Sequence, residues 1–131
     1  MKKIQYFIAA ALIVILSACG STAKFPTSTV TPAAEIVAKT STDKNNNTTI
    51  EVTAKNLASA ERLDPPKSSY VVWITTEDNG TKNIGLLYSK NGQKAVLKTS
   101  TPFKVKEIYI TAEDSGNISY PSGIEISRTS F

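Results

Sequence analysis

The chain is built mostly from short runs in which apolar and polar residues alternate with a period of two. The alternation is weak at Ile36 and Ala38 and clear at Ile50, Val52 and Ala54. Such runs, bounded by Asn, Gly, Pro, Asp and Ser, are typical of β-strands. Five further runs cover residues 70–76, 82–88, 94–99, 103–113 and 124–128. No ten-residue stretch after residue 19 has the helical period, so the pattern predicts about seven strands.

The run over residues 103–113 changes phase in its middle. Its apolar positions are odd at Phe103 and Val105 but even at Ile108, Ile110 and Ala112. Because side chains alternate strictly along a strand, the change requires a β-bulge or a turn between two separate strands.

Turn-forming residues recur about every ten residues, which is typical of a β-sandwich. The proline pair Pro65-Pro66 cannot donate ladder hydrogen bonds, so it favours a connection that crosses from one sheet to the other. We therefore predict an all-β, immunoglobulin-like antiparallel β-sandwich of about seven strands over residues 34–131. Trp73 would fill the centre of its core.

The first residues have the parts of a bacterial export signal. Lys2 and Lys3 precede an apolar run over residues 4–16, and small residues then lead to Cys19. The 13-residue run is shorter than the roughly 20 residues that a membrane-spanning helix needs. We therefore expect residues 1–18 to be a removed signal peptide.

The end of this segment, Leu16-Ser17-Ala18-Cys19, resembles the lipobox of the bacterial lipoprotein family. The resemblance implies cleavage before Cys19 and acylation of that residue by fatty acids such as palmitate. Two or more acyl chains hold a protein stably on a membrane, because each buried methylene contributes about 0.8 kcal/mol. Residues 19–33, rich in Ser, Thr and Pro, are predicted to be a lipidated flexible tether.

Charge and composition narrow the classes of function. Removing 18 of 131 residues leaves 113, enough for one domain. The two lost lysines lower the formal charge from +4 to about +2, which gives no indication of a nucleic-acid partner. The chain has no histidine, and its single cysteine is assigned to the anchor, so Ser-His-Asp, Cys-His and histidine-based zinc sites cannot be built. We predict no cofactor, no metal and no enzymatic activity.

Two alternatives for the folded part stay open at this level. The carboxylate pairs Glu77-Asp78 and Glu113-Asp114 could begin a calcium site or, if they converged, serve an enzyme, but solvated turns explain them more simply. Exposed aromatic rings could bind carbohydrate. Tyr70 and Tyr88 follow the strand pattern of core residues, whereas Tyr120 beside Pro121 is expected to be free.

The second half of the chain resembles the extracytoplasmic domain of the anti-sigma-K factor family over residues 57–127. The shared order is Tyr70-Val71-Val72-Trp73, then Gly85, then Thr111-Ala112-Glu113, then Pro121-Ser122-Gly123. The chain has Pro-Ser-Gly where the family has Pro-Thr-Gly, and residues 113–116 lack the family's Pro and double Gly. No sigma-binding or spanning helices precede the domain. The resemblance implies the sandwich fold but not inhibition of a sigma factor.

The sequence thus predicts a lipid-anchored, non-catalytic module that binds another component of the cell envelope, either a protein or a glycan. The alternative is a sensory or regulatory accessory related to the anti-sigma-K domain. We expect it to face the periplasm. Gly20 follows the cysteine, in place of the Asp that retains lipoproteins at the inner membrane in some bacteria, which favours the outer membrane.

Overall fold

A computed structural model describes residues 20–90 and 93–131 of the chain. This part contains eight strands and one short 3-10 helix, Ala60–Arg62. All neighbouring strands are antiparallel and belong to one sheet, in the order β1-β2-β3-β6-β5-β4-β7-β8. The strands are β1 (Gly20–Lys24), β2 (Glu35–Thr42), β3 (Thr48–Lys55), β4 (Ser69–Thr76), β5 (Thr81–Lys90), β6 (Lys94–Thr101), β7 (Val105–Glu113) and β8 (Ile124–Ser130).

The sheet curls until its two edge strands approach each other. β1 contacts β8, and the Ser127 hydroxyl donates a 2.8 Å hydrogen bond to the carbonyl of Pro26, just after β1. The predicted all-β antiparallel class is confirmed. The predicted immunoglobulin-like sandwich is wrong, because one nearly closed, barrel-like sheet surrounds the core instead of two separate sheets.

The physical reason lies in β5, which pairs with both β4 and β6. It therefore joins into one sheet two groups of strands that a sandwich would keep in separate sheets. Its first part pairs with β4 from Thr81 to Leu87, and its last three residues, from Tyr88, pair with β6. Gly85 has φ 138° beside a register shift between Val72 and Trp73. Glycine at such a shift lets a strand bend sharply, so the sheet continues around a corner.

Apolar side chains fill the inside of the sheet and a smaller cluster covers part of its outside. β4 is buried on both faces: Val72 and Ile74 point into the main core, and Val71 and Trp73 point outward. Trp73 is fully buried, but the prediction that it fills the centre of the core is wrong, because its ring stacks on Tyr109 outside the barrel, with ring centroids 6.3 Å apart. The main core includes Ile36, Ile50, Val52, Leu57, Ile108, Ile110 and Ile126.

The seven predicted strands correspond to β2 through β8. The phase change in 103–113 is resolved by a bulge: Thr75 pairs with Glu107 but Thr76 pairs with Val105, which leaves Lys106 unopposed. The crossover after β3 passes over the end of the barrel, where Leu63 is buried. Periodicity therefore located these strands correctly although it did not reveal the sheet to which they belong.

The segment predicted to be a flexible tether differs from that prediction after its first residue. Gly20–Lys24 forms β1, paired with β2 from Ser41 to Val37, and Phe25 is 5% exposed. Ser28 accepts hydrogen bonds from the backbone amides of Val30 and Thr31, which shapes the turn that leads to β2. The Ser and Thr residues therefore serve an ordered turn and an edge strand.

Two predictions fall outside the described residues. These are the signal peptide over 1–18 and the acylated Cys19. No helix in residues 20–90 and 93–131 is long and apolar enough to cross a membrane.

Candidate functional site

Two tyrosines stand out from the protein surface. Tyr88 is 67% exposed and Tyr120 is 75% exposed, whereas Tyr70, Trp73 and Tyr109 are buried. The sequence predicted that the Tyr120 side chain would be exposed, and the structure confirms this prediction. The prediction that Tyr88 fills the core is wrong, because the bend at Gly85 shifts the alternation of β5 and turns its ring to the outer face, beside Leu86.

The Tyr88 ring borders a groove at one end of the barrel, which we call the Tyr88 groove. It has a volume of about 170 Å³. Its polar lining residues are Ser59, Glu61, Ser68 and Ser69, and Leu86 contributes an apolar wall. An open aromatic face beside a carboxylate and hydroxyls can stack on an apolar ring face and accept hydrogen bonds from its hydroxyls, and it can equally hold a protein side chain.

The wall opposite Tyr88 is fixed by the crossover between β3 and β4. Buried Ala60 begins the 3-10 helix, and its carbonyl accepts hydrogen bonds from the amides of Leu63 (3.2 Å) and Lys67 (2.9 Å). The Tyr70 hydroxyl donates a 2.6 Å hydrogen bond to the Ala58 carbonyl, and burial raises the pKa of Tyr70 to about 12. The groove is therefore lined by a segment that is tied to the core.

A long loop, residues 114–123, covers the outer face of β4, β5 and β7 and carries Tyr120. Asn83 on β5 donates hydrogen bonds of 3.0 Å to the carbonyls of Gly116 and Ile118. Ile118 packs against the outer aromatic cluster, and Gly116 lies against Leu86, where a Cβ atom would come within 2.7 Å of the leucine side chain. The loop is thus held at its middle by a side chain and by close packing.

Glu113 holds the start of this loop through a buried network. Its carboxylate accepts hydrogen bonds from the Thr111 hydroxyl (2.6 Å) and from the hydroxyl (2.9 Å) and amide of Ser122. Thr111 in turn accepts a 2.8 Å hydrogen bond from the indole of Trp73. Burial raises the pKa of Glu113, but the hydrogen bonds from Thr111, Gly123 and Ser122 outweigh it and hold this pKa below its ordinary value.

The structure separates the two carboxylate pairs that the sequence offered for an enzymatic or calcium site. Glu113 pairs with Ser69 at the beginning of β4, whereas Glu77 follows the end of that strand. The seven positions from Ser69 to Thr76, at about 3.3 Å each, separate the pairs by at least about 23 Å along the strand, so they share no cleft. Asp78 is a turn residue whose pKa is lowered by a hydrogen bond from the Thr76 hydroxyl.

The described residues also offer no ready cation site. Among them no three acidic side chains converge in a way that could hold a metal ion. Asp114 is largely exposed and lies 3.6 Å from the Lys67 ammonium. The acidic pairs therefore belong to a loop anchor and a turn.

No family model, curated protein or solved structure matches this chain. We therefore infer the candidate site from the positions and contacts of its residues alone. The sequence pointed to Tyr120 but missed the groove, because Glu61, Ser59 and Tyr88 come together only through the crossover and the corner in β5. The one local signal was Gly85 inside a strand pattern, a position that often marks a bulge.

Proposed function

We propose that this chain is a lipid-anchored, non-catalytic module of the cell envelope that binds another envelope component, protein or glycan. The anchor is Cys19, acylated after removal of residues 1–18, and the domain faces the periplasm from the outer membrane. The observation that carries the proposal is the Tyr88 groove, which joins an exposed aromatic ring to a carboxylate and hydroxyls. Tyr rings are favoured in recognition because they supply contact area at a small entropic cost.

The placement of the groove supports this proposal. Gly20 begins β1 at one end of the barrel, whereas Ser59, Glu61 and Ser69 lie at the other end. Tyr88 lies four register positions along the sheet from Gly20, about 13 Å in the strand direction. A membrane anchor next to Gly20 would leave the groove accessible to a partner. The alternative, a sensory accessory related to the anti-sigma-K domain, stays a prediction.

The test is site-specific photocrosslinking in intact envelopes. A photoreactive amino acid replaces Tyr88 in one strain and exposed Lys106, at the other end of the barrel, in a control strain. We expect one discrete adduct at position 88 that position 106 does not give. Protease and glycan-degrading treatments then assign the adduct to a protein or a glycan. Identical random adducts at both positions would exclude the groove as a recognition site.

The anchor is tested in the same strains by fatty-acid labelling. Replacement of Cys19 by Ala should abolish incorporation of labelled palmitate, because the thiol is the acylated atom. Unchanged labelling in Cys19→Ala would refute the anchor.

A further inference from the structure

The outward positions of four neighbouring strands carry a concentration of lysines, which we call the lysine face. It lies on β1, β2, β3 and β6, and all its lysines are exposed. Two acidic residues, Glu35 and Glu51, lie among them. The lysines are Lys24, Lys39, Lys55, Lys94 and Lys98.

The two glutamates offset only part of the positive charge of this face, with Glu35 directly opposite Lys55 on adjacent strands. Lys55 and Lys94 are directly opposite each other on β3 and β6, an arrangement of like charges that destabilises a sheet. Glu51 alone stands between Lys39 and Lys98 on adjacent strands. Among the described residues, none of the five lysines forms a salt bridge.

The lysine face holds the excess positive charge of the mature chain. It has five lysines against two glutamates, whereas the rest of the sequence after Cys19 has eight cationic and nine anionic side chains. Charged residues that protect sheet edges do not explain it, because β2, β3 and β6 are interior strands. The surface is therefore complementary to an anionic partner.

Two adjoining depressions of about 340 Å³ each run along the lysine face and share Lys39 and Glu51. Val37 and Thr53 line one depression, and the other reaches Gly20, the first residue of β1. The face thus extends along the length of the strands, from Lys55 and Lys94 at one end to the corner at Gly20, where the chain enters the fold.

The position of Gly20 indicates which anionic partner the lysine face would meet. Residue 19 is joined to Gly20 by one peptide bond, and consecutive Cα atoms across a trans peptide bond are about 3.8 Å apart. Because β1 is paired from its first residue, no slack separates an acylated Cys19 from this corner. The lysine face would then lie at the headgroups of the bilayer that holds the acyl chains.

We propose that the lysine face binds the anionic lipid headgroups of the anchoring membrane, an inference that rests on the proposed acylation of Cys19. A basic patch is a known second signal that strengthens an acyl anchor. The Tyr88 groove borders this face, because β5 neighbours β6 and Tyr88 lies opposite Val96, between Lys94 and Lys98. Its other wall, the crossover with Ser59 and Glu61, lies at the end of the barrel away from Gly20, so a partner would reach the groove from that side.

The test uses the acylated full protein purified from membranes and reconstituted into vesicles of neutral phosphatidylcholine, alone or with about 30% anionic phosphatidylglycerol. Acetylation of each lysine is followed by mass spectrometry. We expect Lys39, Lys55 and Lys98 to react at least about threefold more slowly on anionic vesicles, and salt near 1 M, where the Debye length is about 3 Å, to remove the difference. Lys106 should react equally on both.

A charge-reversal pair and its matched control complete the test. Lys55→Glu with Lys94→Glu should abolish the protection of Lys39 and Lys98, whereas Arg62→Glu with Lys106→Glu, an equal charge change off the face, should not. Equal labelling on neutral and anionic vesicles would overturn the proposal. The mass of the peptide containing Cys19 shows separately whether the anchor exists, and co-sedimentation of any unacylated chain with anionic vesicles then tests the face alone.

Discussion

At the scale of single residues, Glu113 links the outer aromatic cluster to the loop that carries Tyr120. The residue is 1% exposed, and its carboxylate accepts hydrogen bonds from the hydroxyls of Thr111 and Ser122. A buried carboxylate is tolerated only when such donors satisfy it. Gly123 completes the site, since a Cβ there would approach the Ala112 carbonyl oxygen within 1.9 Å.

Replacing Glu113 by Gln should lower the free energy of unfolding at pH 7 by about 2 kcal/mol, because an amide group cannot accept all of these hydrogen bonds. The lowered pKa of Glu113 means that its contribution is complete above its unfolded pKa, about 4.3, and is lost as the pH falls toward the folded pKa. The difference between the proteins should therefore shrink below about pH 4.

Urea unfolding at a series of pH values measures this difference. Glu35→Gln, at an exposed position of β2, is the matched control and should change stability by less than about 0.5 kcal/mol. A Glu113→Gln deficit that stays constant down to pH 3 would contradict the assigned role of the charged carboxylate.

At the scale of the strand, β5 turns the sheet through its corner. Gly85 combines φ 138° with close packing, since a Cβ at this position would lie 2.9 Å from a methyl group of Leu97 on β6. Both the backbone conformation and the contact favour glycine. The same corner exposes Tyr88, so the bend creates the candidate site as well as the nearly closed sheet.

Gly85→Ala should destabilise the protein by about 1–3 kcal/mol, from the strained φ and the clash with Leu97. The double variant Gly85→Ala with Leu97→Ala separates the two causes, because removing the leucine side chain relieves only the clash. We expect the double variant to lose less than the sum of the single losses. Thermal melts of the four proteins measure the coupling, and strict additivity would show that the clash contributes nothing.

At the scale of the whole molecule, the residues between β1 and β2 close one end of the barrel. Phe25 is buried in the main core, and the Ser127 bond to Pro26 joins this segment to the last strand. The chain entering from residue 19 is therefore part of the folded unit from Gly20 onward. An anchor at Cys19 would hold the domain directly at the membrane.

The variant Phe25→Ala tests whether the segment between β1 and β2 is part of the folded unit. Loss of a buried phenylalanine from a core costs about 3–5 kcal/mol, whereas truncation of a ring in a flexible tether would cost almost nothing. Tyr120→Ala is the control, because its ring is 75% exposed. Denaturant unfolding of both variants tests whether Phe25 belongs to the core or to a flexible tether. An unchanged unfolding midpoint for Phe25→Ala would support the flexible tether.

The sequence by itself determined the strands and most of their buried residues. Period-two alternation and turn residues depend on neighbours in the chain, so they located β2 through β8 and the phase change in 103–113. The choice between a turn and a bulge at that point came from the structure, which has a bulge. The sequence did not predict β1, because Gly-Ser-Thr-Ala-Lys has no apolar alternation. Its strand conformation comes from pairing with β2.

Only the tertiary structure decided how the strands are joined and what the surface presents. Whether one sheet or two forms depends on pairing between β6 and β5, a contact that periodicity does not encode. The Tyr88 groove and the lysine face arise in the same way, because each gathers residues that are distant along the chain. Local patterns fix which side of a strand is buried, and long-range pairing fixes which outward side chains become neighbours.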